Sequence, residues 1–566
     1  MRLVLLVLAA GLAFTQTQPA TVYHNGKVIT LSGKRPVAEA FAVRDNRFIA
    51  VGSNAEVLKA AGRDSRKVDL RGRTVVPGLI ESHTHPIMAA LSEIDGPVPV
   101  MHSIADIQAY IRQTTARLPQ DRIVFVPKVY PSRLKERRYP NRYEIDEASA
   151  GRPAMCDNGY ASVLNSVLLE RAGITRDTPQ PDNGKIVKDE RGEPTGLVLG
   201  APQLLSRFRQ NRPRTHADMV WAIREMQKAY NRAGITSTAD RSQGPDGFRA
   251  YQEVRRRGEM TVRTSVTFYI AAKGTPKDVA EEIRRIPFVT GWGDDWLRVG
   301  PLKTTVDGGI LIGTAYLREP WGMNTQVYGY TDPDYRGVLS VTKENLFEMV
   351  RVGHELGWQL TAHTTGGGAV DLLLDAYEAA DGVSPVQGRR HNVMHGNFVN
   401  ARAIERAKKL GVIFDSQIAW LHCDGDSLKH VFGPERIKEF LPLRSLIDAG
   451  IVVAGGSDHM IKFDSRDAIN PYHPFYGMWM SITRKTVDGA VLGPEQRVTR
   501  DEALRMWTLN GAFDSFDEKI KGSIEAGKLA DFVIISKNYL TCPEDEIKDI
   551  EALMTVVDGK VVYERK

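Results

Sequence analysis

The chain has 566 residues, of which 42% are hydrophobic and 25% charged, and its 75 basic residues stand against 69 acidic ones. This length is too great for one ordinary core but fits a large barrel with accessory modules, and the composition excludes an intrinsically disordered chain. The formal net charge of +6 is a thin excess over so large a surface, and without a cluster of basic and aromatic residues on one element it excludes nucleic acid as the expected partner.

The first twenty residues are typical of a secretory signal peptide. Met1 and Arg2 precede an apolar run from Leu3 to Phe14, and polar residues follow up to Pro19. The apolar run is too short to span a bilayer as a stable anchor. We therefore expect residues 1–20 to be removed and the mature protein to be periplasmic or secreted, without a membrane anchor.

The two ends of the remaining chain have the same pattern of short strands separated by turn pairs. Asn25-Gly26 and Arg71-Gly72 interrupt the first segment, and Asp558-Gly559 interrupts the last one. Neither segment is long enough to bury a core alone. We predict one composite β-sandwich made from residues 21–76 and 515–566.

Between these ends, short apolar runs stop at polar or ionisable residues and alternate with stretches of helical periodicity, which is typical of βα units. This pattern predicts an α/β fold, a (β/α)8 TIM barrel over residues 77–514, whose strand ends converge on one face. A stretch of about 90–215 is too long for one crossover and predicts an inserted subdomain over the barrel mouth. The predicted strands are 75–85, 122–126, 234–240, 297–303, 359–363, 392–395, 412–417 and 451–458.

Histidines at the predicted strand ends indicate a metal site. His83 and His85 alternate along one strand, so both imidazoles face the same side. A His-x-His pair alone is a weak signal, but His363, His395 and Asp458 end three further strands. Imidazole and carboxylate are ligands that zinc and similar ions accept.

Lys303 also ends a predicted strand, where a plain ammonium would repel a nearby cation. Three interpretations stay open for it: a surface lysine, a binder of a substrate carboxylate, or a carboxylated lysine that bridges two ions.

The segment from Gly78 to His85 resembles the strand-one motif of the amidohydrolase superfamily, and the wider pattern is similar to amidohydrolase family 3, the YtcJ-like branch of metal-dependent hydrolases. The resemblance covers nearly the whole mature chain. Its further motifs are Gly192-Glu-Pro-Thr-Gly196, Gly234-Ile-Thr-Ser, Lys303 with Asp307-Gly308, Ala362-His363, His395, Gly456-Ser-Asp458, Thr508-Leu-Asn-Gly-Ala512 and the segment from Gly522 to Asp531.

The resemblance implies a distorted barrel with a β-sandwich from both termini, and hydrolysis of an amide-type, non-peptide C–N bond of a small molecule by a metal-activated hydroxide. It implies one or two divalent ions, zinc by preference, with Lys303 carboxylated as one alternative and Asp458 also acting as the proton shuttle. The implied metal positions are His83, His85, Lys303, His363, His395 and Asp458.

Two departures from the family pattern concern the substrate. Tyr160 stands where many relatives have a histidine, and Thr364-Thr-Gly-Gly-Gly368 follows His363 without the acid that relatives often carry. We expect Tyr160, Asp307 and Gln417 to contact substrate, although Asp307 equally suits a turn cap and Gln417 a packed polar group. His391 or His459 are alternatives to Tyr160 as a donor to the oxyanion.

Several alternatives remain at this stage. The same centre would serve a lactone, ester or phosphoester hydrolase, and a non-catalytic exported binding protein is a further hypothesis. The oligomeric state stays open, with a homodimer as one alternative. Cys156, Cys423 and Cys542 are too far apart to suggest a disulfide framework or a cysteine-rich zinc site.

Overall fold

The computed structural model describes residues 19–94, 96–120, 122–181, 184–208, 214–322, 324–330 and 332–566. The predicted signal peptide lies outside these residues except for its last two positions. Within these ranges, every helix is too short or too polar to cross a membrane.

The first part of the chain forms short strands that belong to two sheets. Its one helix begins at a capping box, in which Ser53 and Glu56 satisfy each other's backbone amides. The elements are β1 (Thr21–His24), β2 (Lys27–Ile29), β3 (Val37–Ala38), β4 (Ala40–Arg44), β5 (Arg47–Gly52), α1 (Asn54–Ala61), β6 (Arg66–Asp69) and β7 (Thr74–Pro77).

The first barrel strand is followed by a separate inserted unit. Its five strands form one mixed sheet in the order β12-β13-β11-β10-β9. In chain order the elements are β8 (Leu79–Thr84) and α2 (Pro86–Ser92) of the barrel, then α3 (Ile104–Arg117), β9 (Val124–Pro127), α4 (Arg142–Ser149), β10 (Ala154–Asp157), β11 (Ala161–Leu164), α5 (Ser166–Ala172), β12 (Lys185–Lys188), β13 (Pro194–Leu199) and α6 (Pro202–Leu205).

The prediction of a barrel strand at 122–126 is wrong. That segment is β9, which pairs in parallel with β10 in the inserted sheet. Val124 and Val126 are buried in the same cluster as Ile107 and Ile111 of α3. A short apolar run has the same sequence pattern in either sheet, so periodicity alone does not distinguish the two.

The rest of the barrel follows as alternating helices and strands. The elements are α7 (His216–Arg232), β14 (Ile235–Gln243), α8 (Pro245–Arg256), β15 (Arg263–Tyr269), α9 (Pro276–Arg284), β16 (Leu297–Thr305), α10 (Lys343–Glu355), β17 (Leu360–Thr364), α11 (Gly367–Asp381), β18 (Asn392–His395), α12 (Ala401–Leu410), β19 (Ile413–Ser416), α13 (Ala419–Arg436, kinked at Gly433), α14 (Leu443–Asp448) and β20 (Val453–Gly455).

Eight parallel strands, β8 and β14 to β20, are neighbours in chain order and form a nearly closed barrel. The chain after β20 closes the ring on β8, because Asp458 N donates to His83 O at 2.9 Å and His85 N donates to His459 O at 2.8 Å. The predicted (β/α)8 barrel is confirmed. Its third strand is β15, which the sequence analysis missed.

The last elements are α15 (Pro474–Thr483), α16 (Arg500–Met506), α17 (Leu509–Asp514), β21 (Phe532–Ile535), β22 (Ala552–Val557) and β23 (Lys560–Glu564). A six-stranded sheet, β23-β22-β21-β7-β2-β3, takes strands from both ends of the chain, and a four-stranded sheet has the order β5-β4-β1-β6. The two sheets pack through buried aromatic rings, with the Phe41 and Phe532 centroids 4.8 Å apart.

Candidate metal centre

Three ligating side chains meet where β8 ends and the chain after β20 joins it. One ligand atom from each of His83, His85 and Asp458 lies within 4.8 Å of the other two, and all three residues are buried. His85 Nε2 is 3.1 Å and His83 Nε2 is 3.4 Å from Asp458 Oδ1. Side chains alternate along β8, so His83 and His85 face the same side, and the segment after β20 brings Asp458 against them. Residues more than 370 positions apart in the sequence are thus in contact.

The orientation of the His83 ring suits a metal ligand. Its Nδ1 donates to Asp415 Oδ1 at 3.0 Å, so the tautomer leaves an unprotonated Nε2. That Nε2 is buried and has no hydrogen-bond partner among the described residues. A buried nitrogen without a partner is costly, and a cation would satisfy it. Two imidazoles and a carboxylate therefore fit a divalent ion such as zinc.

His395 and His363 adjoin this group. The ring centroid of His395 is 4.8 Å from that of His83 and 4.4 Å from that of His363. His395 Nδ1 donates to Gln417 Oε1 at 2.8 Å, and His363 Nε2 donates to Gly308 O at 3.0 Å. The structure thus brings all four predicted histidines to one end of the barrel.

Lys303, at the end of β16, is buried in the same place. Burial lowers the pKa of its ammonium to about 8, although the carboxylates of Asp458 and Asp415 act in the opposite direction. Burial, with a further effect of the Lys303 charge, lowers the pKa of His363 to about 4. The interpretation of Lys303 as a surface lysine is wrong, because its side chain faces the barrel interior beside the histidines.

The backbone is strained at two of the predicted positions. His395 has φ of 70° and Asp458 has φ of 57°, a left-handed conformation that non-glycine residues rarely adopt. Such strain persists where surrounding structure enforces it, and it concentrates at functional sites.

Asp307 lies at the edge of the centre with its carboxylate committed to backbone. It accepts from Thr365 N at 2.9 Å, Gly366 N at 2.8 Å and Tyr316 N at 2.9 Å. Burial raises its pKa to about 7. The carboxylate orders the loop after β17 and the backbone at Tyr316, not the Asp307-Gly308 turn of the turn-cap alternative, and a contact with substrate stays a prediction.

Gln417 is fully buried, and both ends of its amide are hydrogen-bonded within the protein. Besides accepting from His395, its amide donates to Asp415 Oδ1 at 2.7 Å. The packed-polar alternative describes this geometry, and a contact with the leaving group stays a prediction.

Tyr160 comes from the inserted unit and faces the centre. Its ring centroid is 5.5 Å from that of His363. Burial raises the pKa of the phenol above its usual range, so it is a hydrogen-bond donor at neutral pH.

The two alternative donors are placed elsewhere. His391 lies before β18, at the opposite end of the barrel, and donates to His354. His459 contacts Lys462 O at 2.7 Å and Tyr230 Oη at 3.2 Å, so both of its ring nitrogens are engaged. His391 as a donor to the reacting group is therefore wrong, and His459 has a structural role.

Four buried ionisable residues beneath the centre were not predicted. Asp415 Oδ2 is 3.3 Å from Arg241 Nη2, and that guanidinium also pairs with Asp514. Glu81 accepts from Ser457 N at 2.7 Å, and burial raises its pKa to about 8. The one available signal was alternation, which places Asp415 on the same face of its strand as Gln417.

Comparisons with known proteins agree with this geometry. A sequence profile described as "Amidohydrolase family" matches residues 66–563. The N-substituted formamide deformylase of Arthrobacter pascens is 29% identical, over 96% of this chain and 98% of that protein. The protein named "Putative amidohydrolase YtcJ", from Bacillus subtilis (strain 168), is 25% identical over 96% of this chain and 99% of its own length.

Solved structures are similar in fold. The crystal structure of an uncharacterized metal-dependent hydrolase from Pyrococcus horikoshii OT3 aligns with a TM-score of 0.69 at 21% identity, covering 93% of this chain and 99% of that one. A second, from Pyrococcus furiosus, aligns with a TM-score of 0.66 at 22% identity, covering 92% and 100%.

Proposed function

The chain belongs to the amidohydrolase family, as its motifs predict, and we propose that it hydrolyses an amide-type C–N bond of a small molecule at a divalent metal centre built on His83, His85 and Asp458. It is a hydrolase of carbon–nitrogen bonds other than peptide bonds. The proposal adds the ligand set, zinc as the preferred ion, and the roles of the surrounding side chains.

The observation that carries the proposal is the buried Nε2 of His83, which has no hydrogen-bond partner in the described part of the chain and lies 3.4 Å from Asp458 Oδ1. Asp415 enforces the tautomer that exposes this lone pair toward the other two ligands. His395, His363 and Lys303 lie close enough to complete the centre, with Lys303 either an ammonium or, for a second ion, a carbamate. A divalent ion held there lowers the pKa of water and polarises a carbonyl group.

Asp458 is placed to move protons. Burial alone would raise its pKa, but the hydrogen bond from His85 and the electrostatic effect of the surrounding histidines outweigh burial and hold the pKa below its usual range. The side chain is thus a carboxylate at neutral pH. It accepts the proton of the attacking water and passes it to the leaving nitrogen, which departs as an amine.

Tyr160 is our candidate for the donor to the carbonyl oxygen. Its protonated phenol lies beside His363 at the mouth of the barrel, on the side of the inserted unit. A fixed O–H donor directed at the oxygen where negative charge develops lowers the barrier. The similarity to an N-substituted formamide deformylase makes N-substituted formamides the first substrates to assay.

Hydrolysis assays test the proposed function. We expect purified protein to hydrolyse members of a panel of formamides and amides, to lose this activity with a chelator and to regain it with Zn²⁺. The His83→Ala, His85→Ala double variant should lose at least 100-fold in kcat/KM, roughly the loss of several kcal/mol of transition-state stabilisation. Esters, lactones and phosphoesters in the same panel test the alternative reactions.

A His24→Ala, His430→Ala double variant is the matched control, because both residues lie outside the centre. Equal activity of the two double variants, or full activity of the wild type in excess chelator after metal has been removed, would contradict the proposed metal mechanism.

We also propose that the protein is exported. The basic residue Arg2 and the apolar run from Leu3 to Phe14 support this proposal. Expression of the full chain in a Gram-negative host, followed by N-terminal sequencing of the periplasmic fraction, should give a start near residue 21. A cytoplasmic product that retains residues 1–20 would exclude export.

A further inference from the structure

A cavity of about 440 Å³, which we call the β19–β20 cavity, lies beyond the ends of the last two barrel strands and has many charged residues in its lining, such as Arg133, Arg466 and Asp467. Cys423 of α13 and Ile469, which follows Asp458 along the chain, line it. Trp420, one turn before Cys423, stacks on His395 with ring centroids 4.9 Å apart. Tyr130 of the inserted unit also lines it, near enough for the charge of Asp458 to contribute to the raised pKa of its phenol, which is mainly due to burial.

A second cavity of about 310 Å³, the β15–β16 cavity, lies beyond the ends of β15 and β16. Tyr160 and Thr305 line it on the side of the centre, and Ala271, Leu339 and Val341 supply an apolar wall. Tyr160 connects this cavity to the histidines, because its ring centroid is 5.5 Å from that of His363.

The two cavities lie on opposite sides of the candidate centre. In the ring of eight strands, β15 and β16 are third and fourth and β19 and β20 are seventh and eighth, so they face each other across the barrel. The inserted unit covers both and gives one tyrosine to each, Tyr130 and Tyr160. Both volumes fall within the range of small-molecule sites, roughly 300–1,000 Å³.

We propose that the substrate is a secondary amide with a sizeable substituent on each side of the scissile C–N bond, the amine part lying in the β19–β20 cavity and an apolar acyl chain in the β15–β16 cavity. This inference rests on the proposed function. It goes beyond hydrolysis of formamides, whose acyl side is a single hydrogen and would leave the β15–β16 cavity empty.

Asp458 sets the direction of the substrate. Its carboxylate lies on the β20 side of the centre and protonates the leaving nitrogen, so the amine part extends toward the nearer, β19–β20 cavity. The acyl carbon then faces Tyr160 and the apolar wall beyond it. Water adds across the C–N bond: the acyl carbon gains the oxygen, the nitrogen gains a proton by way of Asp458, and a carboxylic acid and an amine leave.

A chain-length series tests the inference. N-benzyl amides with formyl, acetyl, butanoyl and hexanoyl groups are compared on the metal-loaded wild type, each rate divided by the alkaline hydrolysis rate of the same amide. From acetyl upward we expect kcat/KM to rise roughly fourfold for each methylene that enters the β15–β16 cavity. The Ala271→Phe variant should remove this gain.

Two matched variants separate the cavities. Ala271→Phe fills the β15–β16 cavity and should lower the hexanoyl-to-acetyl ratio of kcat/KM at least tenfold. Val100→Phe, which narrows the β19–β20 cavity, should change that ratio less than threefold and instead lower the ratio of N-benzyl to N-methyl amides. Calorimetric binding of hexanoate should weaken in Ala271→Phe and not in Val100→Phe, independently of turnover.

The outcomes are distinguishable. Activity on formamides alone, with no gain along the acyl series, would overturn the two-sided substrate and leave the proposed function intact. A flat series in the wild type together with hexanoate binding that Ala271→Phe does not weaken would also overturn it. A metal-loaded protein that hydrolyses none of the amides or formamides would overturn the proposed function and this inference with it.

Discussion

The imidazoles of the candidate centre are held by a chain of buried polar groups. Asp415 accepts from His83, Gln417 joins Asp415 to His395, and Arg241 neutralises the far oxygen of Asp415 at 3.3 Å. A carboxylate behind a ligating histidine fixes its tautomer and raises its basicity. One network therefore orients ligands that belong to two different strands.

Asp415→Asn tests this network. The amide no longer favours a proton on His83 Nδ1, so we expect the affinity for Zn²⁺, measured by competition with a chromogenic chelator, to fall roughly 10- to 100-fold. Asp375→Asn, which removes an exposed carboxylate paired with Arg406, is the control. The prediction fails if both variants bind Zn²⁺ like the wild type while circular dichroism shows both folded.

Residues that ended strands were predictable, whereas their buried partners were not. His83, His85 and Asp458 stand out in the sequence because each is an ionisable residue at the end of an apolar run. The formation of a buried strand does not itself require a charge there. Asp415 and Arg241 carry charge inside the barrel, where sequence patterns predict apolar residues. Their burial is stable only because each meets a partner far along the chain, and that pairing exists only in the folded structure.

Among the elements, β17 and β18 are joined at their beginnings by a line of two buried histidines. Leu360 N donates to His391 Nδ1 at 3.0 Å, His391 Nε2 donates to His354 Nδ1 at 3.1 Å, and His354 Nε2 donates to Ser384 Oγ at 2.7 Å. Each ring must be neutral to keep one donor and one acceptor. Burial, together with His354, lowers the pKa of His391 to about 3.

This arrangement predicts acid sensitivity of the fold. An unfolded histidine has a pKa near 6.5, so between pH 6.5 and about 3 the unfolded chain binds a proton at His391 that the folded chain does not. The contribution is fully present above pH 6.5 and falls as the pH drops, by up to about 1.4 kcal/mol per pH unit.

Urea unfolding at pH 7.5, 6.5, 5.5 and 4.5 measures this contribution. On acidification, the free energy of unfolding should fall less in His391→Asn than in the wild type, and the difference is the contribution of one proton-binding group. The variant of an exposed histidine, His430→Asn, should show the pH dependence of the wild type. If the unfolding free energies of His391→Asn and the wild type change equally with pH, His391 has the same pKa in the folded and unfolded states, which contradicts the prediction.

The sequence-based prediction placed β9 in the barrel and left out β15, and this mistake has a physical cause. Arg263 begins β15, and a charge at a strand start argues against a buried barrel strand. In the structure Arg263 is buried because Asp531 and Asp558 of the sandwich accept from it at 2.7 and 3.0 Å. β15 also ends at Tyr269, without the histidine, acid or lysine that ends most of the other barrel strands predicted from the sequence. Contacts between parts of the chain that are distant in sequence determine which sheet β9 and β15 join, and the sequence pattern of each strand does not show those contacts.

At the scale of the whole molecule, the barrel supplies the candidate ligands, the inserted unit covers them, and the sandwich closes the opposite side. The barrel was predictable because its strands repeat one pattern, while the inserted sheet was predictable only as an overlong connection. Tyr130 and Tyr160 of the inserted unit each line one of the two cavities. In the proposed arrangement the inserted unit selects the substrate and the barrel carries out the chemistry.

The central claim is that a divalent ion lies among His83, His85 and Asp458. Crystals of the Zn²⁺-loaded protein, with diffraction data collected on both sides of the zinc absorption edge, locate bound ions directly. We predict an anomalous peak about 2.0–2.2 Å from the His83 and His85 nitrogens and from an Asp458 oxygen. A fully occupied peak elsewhere, or none in crystals of protein that hydrolyses amides, would contradict the account.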